Sequence, residues 1–573
     1  MHYKDELAEA LAAVSSPEKA VFLSLLEIPP QADMGDLALP CFRLAKELKK
    51  APNLIAAELK EKIDGKLPWL QRIEVVGGYL NFYFDPAQYA ESVLQNSFSS
   101  GSAPGSGSEG QGKTVLVEYS SPNIAKPFHV GHAFTTLLGE AIANLYEYRG
   151  YDVKRLNHLG DYGTQFGKLI AAWRHWGSEE ALAKDPITEL NRVYVKFYRE
   201  LVEHPELEDE GRLYFKRLEE KAPEEYELWQ LFRDLSLKAF DKIYRRMNIE
   251  FDSMLGESFY SDKIPAVVEK LRSLCLLEES EGAQVVNLDS YNLNPCLILK
   301  SDGATIYASR DIAAVYYRQE KWDFYRNIYV VGAPQKNHFQ QVFAVLKEAG
   351  FPKADQCIHV AFGTVRFADG IFSTRQGNVV LLHDLLEESV AKIRVIIKNN
   401  NPDMAEEEVN SIAESVGVGA VRYTFLRNGR ERDIIFSWDD MLDFEGDSAP
   451  YLQYTYARCS SIMRLAKAGG IWPFDPNEIN TEHLSGDEEQ AIIKLLDGFE
   501  SSVLEALEAH EPSIMLRNIS QLARAFNRFY NSRSILHAED KEIVKARLVL
   551  TESTRIYLGA GLAIAGIDAL DRM

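Results

Sequence analysis

The sequence predicts an α/β protein. It combines a doubly wound parallel, Rossmann-type domain with a small α+β domain before it and an all-α bundle after it. Three observations carry this. Residues 114–119 are short, apolar and β-branched, and a long helical pattern (about 130–149) and a second strand-like piece, Asp152–Leu156, follow them. Strand, crossover helix and strand open a parallel sheet. Residues 97–113 read SFSSGSAPGSGSEGQGK, which cannot bury enough apolar area to offset ordering, so a flexible linker is expected there. Beyond about Asn428 no strand pattern stands out, and 437–573 reads as helices.

At roughly 150 residues per domain, 573 residues suggest three to four domains. The first, 1–96, has helical patterning at 3–14 and 44–63, then a strand-like run at 79–84 after Gly77-Gly78. The central domain, 114–436, starts with the strand and helix above. Gly150 is the expected helix stop. Further strands are expected at 327–331 and 357–362, and the charged helical stretch 170–251 reads as an insertion.

Hydrophobic residues make up 46% and charged residues 26%, which excludes a wholly disordered or collagen-like chain. No apolar run reaches about 18 residues, so no spanning helix is expected, and the start has neither signal nor transit character. The five cysteines lie far apart without a CxxC pair. A disulfide framework or a zinc site is therefore not expected, and a reducing cytosol is the default. Sixty-three basic against 85 acidic residues give a charge of −22. That argues against a non-specific nucleic-acid coat, but not against a binder with one basic face.

The strongest local signal is His129-Val130-Gly131-His132, directly after the first strand and opening a helix. Free backbone N–H groups and the helix dipole make such a tip an anion site. Gly131 permits close approach, and histidines three apart can donate to phosphate oxygens. The bland alternative for this tetrapeptide is a pair of capping histidines. Lys126, just upstream, adds a mobile positive charge.

The longer run EYSSPNIAKPFHVGH at 118–132 resembles the signature of the class I aminoacyl-tRNA synthetases, specifically the arginyl-tRNA synthetase family. NHLGDYGTQFG at 157–167, GESFY at 256–260 and APYLQY at 449–454 are similar to that family's patterns. The resemblance covers nearly the whole chain. It implies an arginine–tRNA ligase: ATP activates L-arginine to arginyl-adenylate with release of pyrophosphate, and the arginyl group passes to the 3′ end of the matching tRNA, releasing AMP. It also implies Mg²⁺ accompanying ATP, tRNA(Arg) as partner, a cytoplasmic location, no membrane association, no protein-held metal and a monomer.

Such chemistry asks for positioning and charge stabilisation. His129, His132 and Lys126 suit that, with Gly131 at the ATP site. The family's second ATP motif is a KMSKS-like loop. Here it reads IFSTRQGN at 371–378, lacking both lysines and keeping Ser373 and Arg375. Lys126, with Arg375, is expected to stand in. The degenerate loop leaves open a non-catalytic RNA-binding paralogue, and a change of amino acid within the enzyme class is a third reading.

A guanidinium needs carboxylates and a flat surface. Glu118 ends the first strand at the topological switch, and Tyr307 and Asp311 lie four apart on a helical pattern. The resemblance adds Ser121, Pro122, Asn123 and Gln335 to the arginine pocket, with His132 near the ligand's carboxylate. The bland alternatives are a salt bridge between Asp311 and Arg310 or another base, and a loop role for Gln335.

For tRNA, 512–538 contains no acid and carries Arg517, Arg524, Arg528 and Arg533, interleaved with Phe526, Phe529 and Tyr530. Guanidiniums take phosphates and aromatics stack on bases. The competing reading is core aromatics beneath a solvated basic face. Tyr451, Tyr454 and Arg458 share one helix face, in a region the resemblance assigns to the anticodon-binding bundle. It also matches Met573 to the family's chain end near the anticodon loop, and Tyr79 and Asn81 to positions that touch the tRNA elbow.

Overall fold

The computed structural model describes residues 2–99, 103–367 and 380–573. The N-terminal unit holds β1 (Leu37–Pro40), β2 (Leu70–Val76) and β3 (Tyr79–Phe84) in an antiparallel sheet, β3 central. Gly77 and Gly78, at φ 58° and 93°, form the two-residue hairpin between β2 and β3, a turn that demands positive φ. The helix expected at 44–63 is interrupted. It runs Ala45–Leu48, turns left-handed at Lys49, and restarts as Pro52–Ile63, because Pro52 forces Ala51 extended.

β4 (Thr114–Glu118) and β5 (Asp152–Leu156) pair in parallel. A separate antiparallel sheet, not foreseen from sequence, follows as β6 (Leu277–Ser280), β7 (Ala283–Val286) and β8 (Cys296–Leu299). Parallel strands β9 (Arg326–Val330) and β10 (Cys357–Val360) complete the main sheet in the order β10-β9-β4-β5. The strand order reverses between β4 and β9, where such sheets bind ligands. β11 (Val365–Phe367) pairs in parallel with β12 (Ile434–Phe436), so the expectation of no strand beyond Asn428 fails by one short strand. Residues 449–573 form the helices Ala449–Ala468, Asp487–Ala509, Ser513–Ser532 and Lys541–Ile564.

The stretch expected as a free linker is partly inside structure. Ser97 is buried in the helix Pro86–Ser99. Further on, the Tyr148 hydroxyl donates to the Pro104 carbonyl at 2.6 Å, and Arg149 grips Gly105 and Glu109. Composition could not reveal this, because the donors come from the end of a distant helix. Among the described residues no helix is long and apolar enough to cross a membrane.

Candidate active site

Beyond Glu118 the chain turns through three left-handed residues, Ser120, Ser121 and Ala125, at φ 70°, 45° and 61°. Such residues cost about 1–3 kcal/mol each and persist only where surroundings over-determine them. Ser120 N donates to Thr135 Oγ1 (3.2 Å), and Ser120 Oγ lies 2.7 Å from the Tyr244 hydroxyl. Ser121 N donates to Asn157 Oδ1 (3.1 Å) and Ala125 N to Ser236 Oγ (2.9 Å). Pro122 is buried and Asn123 exposed. A side chain at Gly160 would come within 2.1 Å of Asn123 Oδ1, so glycine there lets the two segments bridge.

His129 caps the helix Val130–Tyr148. Its Nδ1 accepts from Gly131 N at 3.0 Å, while His132 Nδ1 accepts from His129 N at 3.3 Å. The rings stack with centroids 3.8 Å apart. Burial pushes the His132 imidazole down to about 3, with the His129 and Lys126 charges adding, and burial also lowers His129. Neutral rings that accept through Nδ1 carry their protons on Nε2. The histidines are therefore caps and donors at once, so the bland and functional readings merge. A Cβ at Gly131 would meet the His129 ring at 2.9 Å, so this glycine accommodates the ring. The Lys126 ammonium sits 5.5 Å from the centre of the Tyr194 ring, on the inserted helix Pro186–Glu200.

The acids differ from expectation. Glu118 is buried and hydrogen-bonded by Arg318, which is 1% exposed. Glu118 therefore has an internal guanidinium as partner and is not an unoccupied wall for a ligand. Asp311 accepts from His338 Nε2 at 2.6 Å. Burial pushes its carboxyl up, but the His338 bond and charge outweigh this and hold it below its ordinary value. Arg310 pairs with Glu257 at 2.8 Å instead. Tyr307 and Asp311 share the helix Tyr307–Trp322, with Tyr307 68% exposed. Gln335 is exposed at the start of the helix Lys336–Glu348. Ser373 and Arg375 lie outside the described residues.

Two of the motifs meet through Asp161. It is fully buried and accepts from Ser258 N (2.9 Å), Ser258 Oγ (2.8 Å) and Arg233 Nε (3.3 Å). Sequence reasoning missed Arg318, His338, Tyr244, Asn157 and Asp161 as site-forming residues. The last two stand within a quoted motif, whereas the others carry no local signal.

The tRNA candidates divide. Tyr454 and Tyr530 are each 40% exposed and flank Arg458, whose guanidinium lies 4.9 and 4.6 Å from their ring centres. Arg528 is exposed, and Arg524 reaches Asp447 at 3.5 Å. Phe526 and Phe529 are wholly buried and Tyr451 nearly so, so these three are core rather than stacking platforms. Tyr79 is exposed beside Phe42, rings 5.1 Å apart. Asn81 is buried, yet strand alternation puts it on the face of β3 that carries Tyr79 and Tyr83, opposite the core residues Leu80, Phe82 and Phe84. Met573 packs on the Ile393–Val416 cluster.

An open parallel sheet with a histidine-opened helix at its switch point, followed by a helical bundle, defines a class I aminoacyl-tRNA synthetase architecture. Family models agree: "tRNA synthetases class I (R), catalytic domain" matches residues 95–438. "DALR anticodon binding domain" matches 452–573, and "Arginyl tRNA synthetase N terminal domain" matches 1–84. An arginine–tRNA ligase of Clostridium acetobutylicum is 49% identical over 573 residues, covering 100% of both chains. One from Clostridium botulinum is 50% identical over 573 residues, also covering 100% of both. The solved arginyl-tRNA synthetase of Thermus thermophilus superposes with a TM-score of 0.79 at 27% identity, covering 100% of this chain and 99% of that one. The chain belongs to the arginyl-tRNA synthetase family.

Proposed function

We propose that the pocket beyond β4 and β9 carries out arginine–tRNA ligation with the following division of labour. As an arginine–tRNA ligase, the chain joins L-arginine to tRNA at the expense of ATP. The His129 and His132 Nε2–H groups, with the N–H groups of the helix tip, hold ATP's phosphates, and Lys126 adds charge. Asp311 and Tyr307 hold the guanidinium, with Asn123 and Gln335 at the rim. The substrate carboxylate then attacks the α-phosphate and pyrophosphate leaves; the enzyme's share is positioning and electrostatics. Mg²⁺ enters as the counter-ion of ATP's phosphates, and no residue of the chain is assigned to it. Ser373 and Arg375 are proposed as further phosphate contacts.

The single observation that carries this assignment is the paired imidazole geometry at the helix tip, two neutral rings with both Nδ1 atoms already engaged. For tRNA we propose the Tyr454–Arg458–Tyr530 stack with Arg524 and Arg528, and Tyr79 on the N-terminal unit. A reducing, cytoplasmic setting accords with five free thiols, four of them buried. The test is arginine-dependent charging of tRNA with AMP release, run with Tyr530→Ala beside the wild type. The variant should raise the KM for tRNA by a factor that stacking of about 1–3 kcal/mol per base implies, with the KM for arginine unchanged. A charging reaction that favours another amino acid would overturn the assignment.

A further inference from the structure

The charged stretch that the sequence sets apart as an insertion ends in the helix Pro223–Arg246, and one face of that helix lies along the signature loop. The spacing is helical: Trp229, Arg233, Ser236, Phe240 and Tyr244 follow one another at intervals of three or four residues. Trp229 Nε1 donates to the Asp161 carbonyl at 2.7 Å, Ser236 Oγ accepts from Ala125 N at 2.9 Å, and the Phe240 ring lies 5.8 Å from that of Phe128. Tyr244, buried, closes the row. Its ring packs edge-on against Phe128 and Phe251, with centroids 5.7 and 5.0 Å away. Its hydroxyl has two partners, Ser120 Oγ at 2.7 Å and Asn157 Nδ2 at 3.0 Å. Burial pushes the pKa of this phenol up, so the proton stays on the oxygen at neutral pH.

The direction of each bond around this hydroxyl is fixed from the two ends. Asn157 Oδ1 accepts from Ser121 N at 3.1 Å, which turns the amide's NH₂ towards Tyr244. Tyr244 therefore accepts from Asn157, and its own proton goes to Ser120 Oγ. At the far end Thr136 Oγ1 lies 2.6 Å from the His132 carbonyl and 2.8 Å from Ser120 Oγ. A carbonyl cannot donate and threonine has one hydroxyl proton. Thr136 thus donates to the His132 carbonyl, the usual back-bond of a helical threonine, and accepts from Ser120. The bonds form a one-way chain from Asn157 through Tyr244, Ser120 and Thr136 to the carbonyl of His132. We propose that Tyr244 is a positioning residue for arginine activation: its hydroxyl is the central link of this chain and keeps the Ser120–Ser121 turn, and with it Asn123, in register with His132. This rests on the reading of Asn123 and His132 as substrate contacts. Both residues of the turn are left-handed, and the chain holds Ser120 by its hydroxyl and Ser121 by its N–H. Such residues persist only where their surroundings over-determine them, so the turn relaxes when the link is cut. The insertion's last helix is in this way the template on which the signature loop is aimed.

The experiment measures adenylate formation and tRNA charging by the full chain with arginine, ATP and tRNA present, and urea unfolding beside them. Tyr244→Phe keeps the ring and its packing but removes both bonds. It should lower kcat about ten- to a hundredfold, the scale on which small misplacements act, and leave the KM for tRNA unchanged. Thr136→Val cuts the chain at its other end and should do the same, whereas Thr136→Ser keeps the hydroxyl and should restore the rate. If Tyr244→Phe does not fold, the two threonine variants read the same link. A chain fails as a unit, so Tyr244→Phe combined with Thr136→Val should lose no more than the slower single variant. Losses that multiply would overturn the chain. So would a Thr136→Ser enzyme as slow as Thr136→Val, or a Tyr244→Phe enzyme with the wild-type kcat. His129→Asn separates the two layers: if it too forms adenylate at the wild-type rate, the reading of the helix tip as the site itself fails.

Discussion

The loop at the end of β4 and the helix Ser513–Ser532 solve opposite problems. The loop packs three left-handed non-glycine residues within 120–125 and is held by hydrogen bonds to three separate segments. In 449–573 only His510 among the non-glycines is left-handed, and the helix rests on Leu516, Ile519, Phe526 and Phe529, all fully buried. One region stores strain and buried polar groups to aim side chains, and the other accumulates apolar burial to stay put. Substitutions should therefore act through chemistry and charge in the first and through volume in the second.

The largest expected effect tests that division. Arg318→Met strands a buried Glu118 and should destabilise the protein by about 3–5 kcal/mol in a urea titration, whereas Phe526→Leu should cost less than about 1.5 kcal/mol. Comparable losses would erase the contrast. Next comes His129→Asn, which removes a phosphate donor and should slow adenylate formation about 10²–10³-fold while tRNA affinity holds. A parallel fall in tRNA binding would mean the helix tip is scaffold rather than site.

Acid should affect both regions through their buried histidines. Burial, with the Arg326 and Arg430 charges, lowers His510 to about 4, and burial lowers His132 to about 3. The unfolded chain takes up these protons near about pH 6.5, before the folded one does, so stability is intact above that pH and is lost as pH falls towards the folded values. His510→Asn should flatten the slope of stability against pH between about 6.5 and 4 by one proton's worth. An unchanged slope would show that His510 is protonated in the native bundle. The smallest effect concerns Lys126. Tyr194→Leu should slow adenylate formation only by the factor that a cation–π contact of about 0.5–1 kcal/mol implies, and Tyr194→Phe should restore the rate. An equal loss with phenylalanine would point to the hydroxyl rather than the ring face.

Strands β4, β5, β9 and β10 and the helix Val130–Tyr148 were legible because each has a periodic pattern and a clear stop, Gly150 at φ 81° among them. The hairpin of β2 and β3 was half legible: Gly77-Gly78 announced the turn, but β2 has one buried residue in seven and offers little alternation. The histidine pair, Tyr307 and Asp311 could be singled out because their spacing lies within single elements. Arg318 and His338 could not. Their partners are 200 and 27 residues away, and a lone basic residue on an amphipathic helix looks the same whether it faces water or a carboxylate. Phe526 and Phe529 failed for the converse reason: residue type suggested contact, but only packing decides which face is inward.

The 19 residues of the helix Val130–Tyr148 span about 28 Å as one rod. At one tip stand the two imidazoles. Near the other, the Asn144 amide donates to the Ile564 carbonyl at 3.1 Å, and Tyr146 meets His510 at 2.9 Å, both in the bundle. The reactive end and the far anchor therefore belong to a single lever, and a substitution as remote as Asn144 is already a change to the alignment of the chemistry.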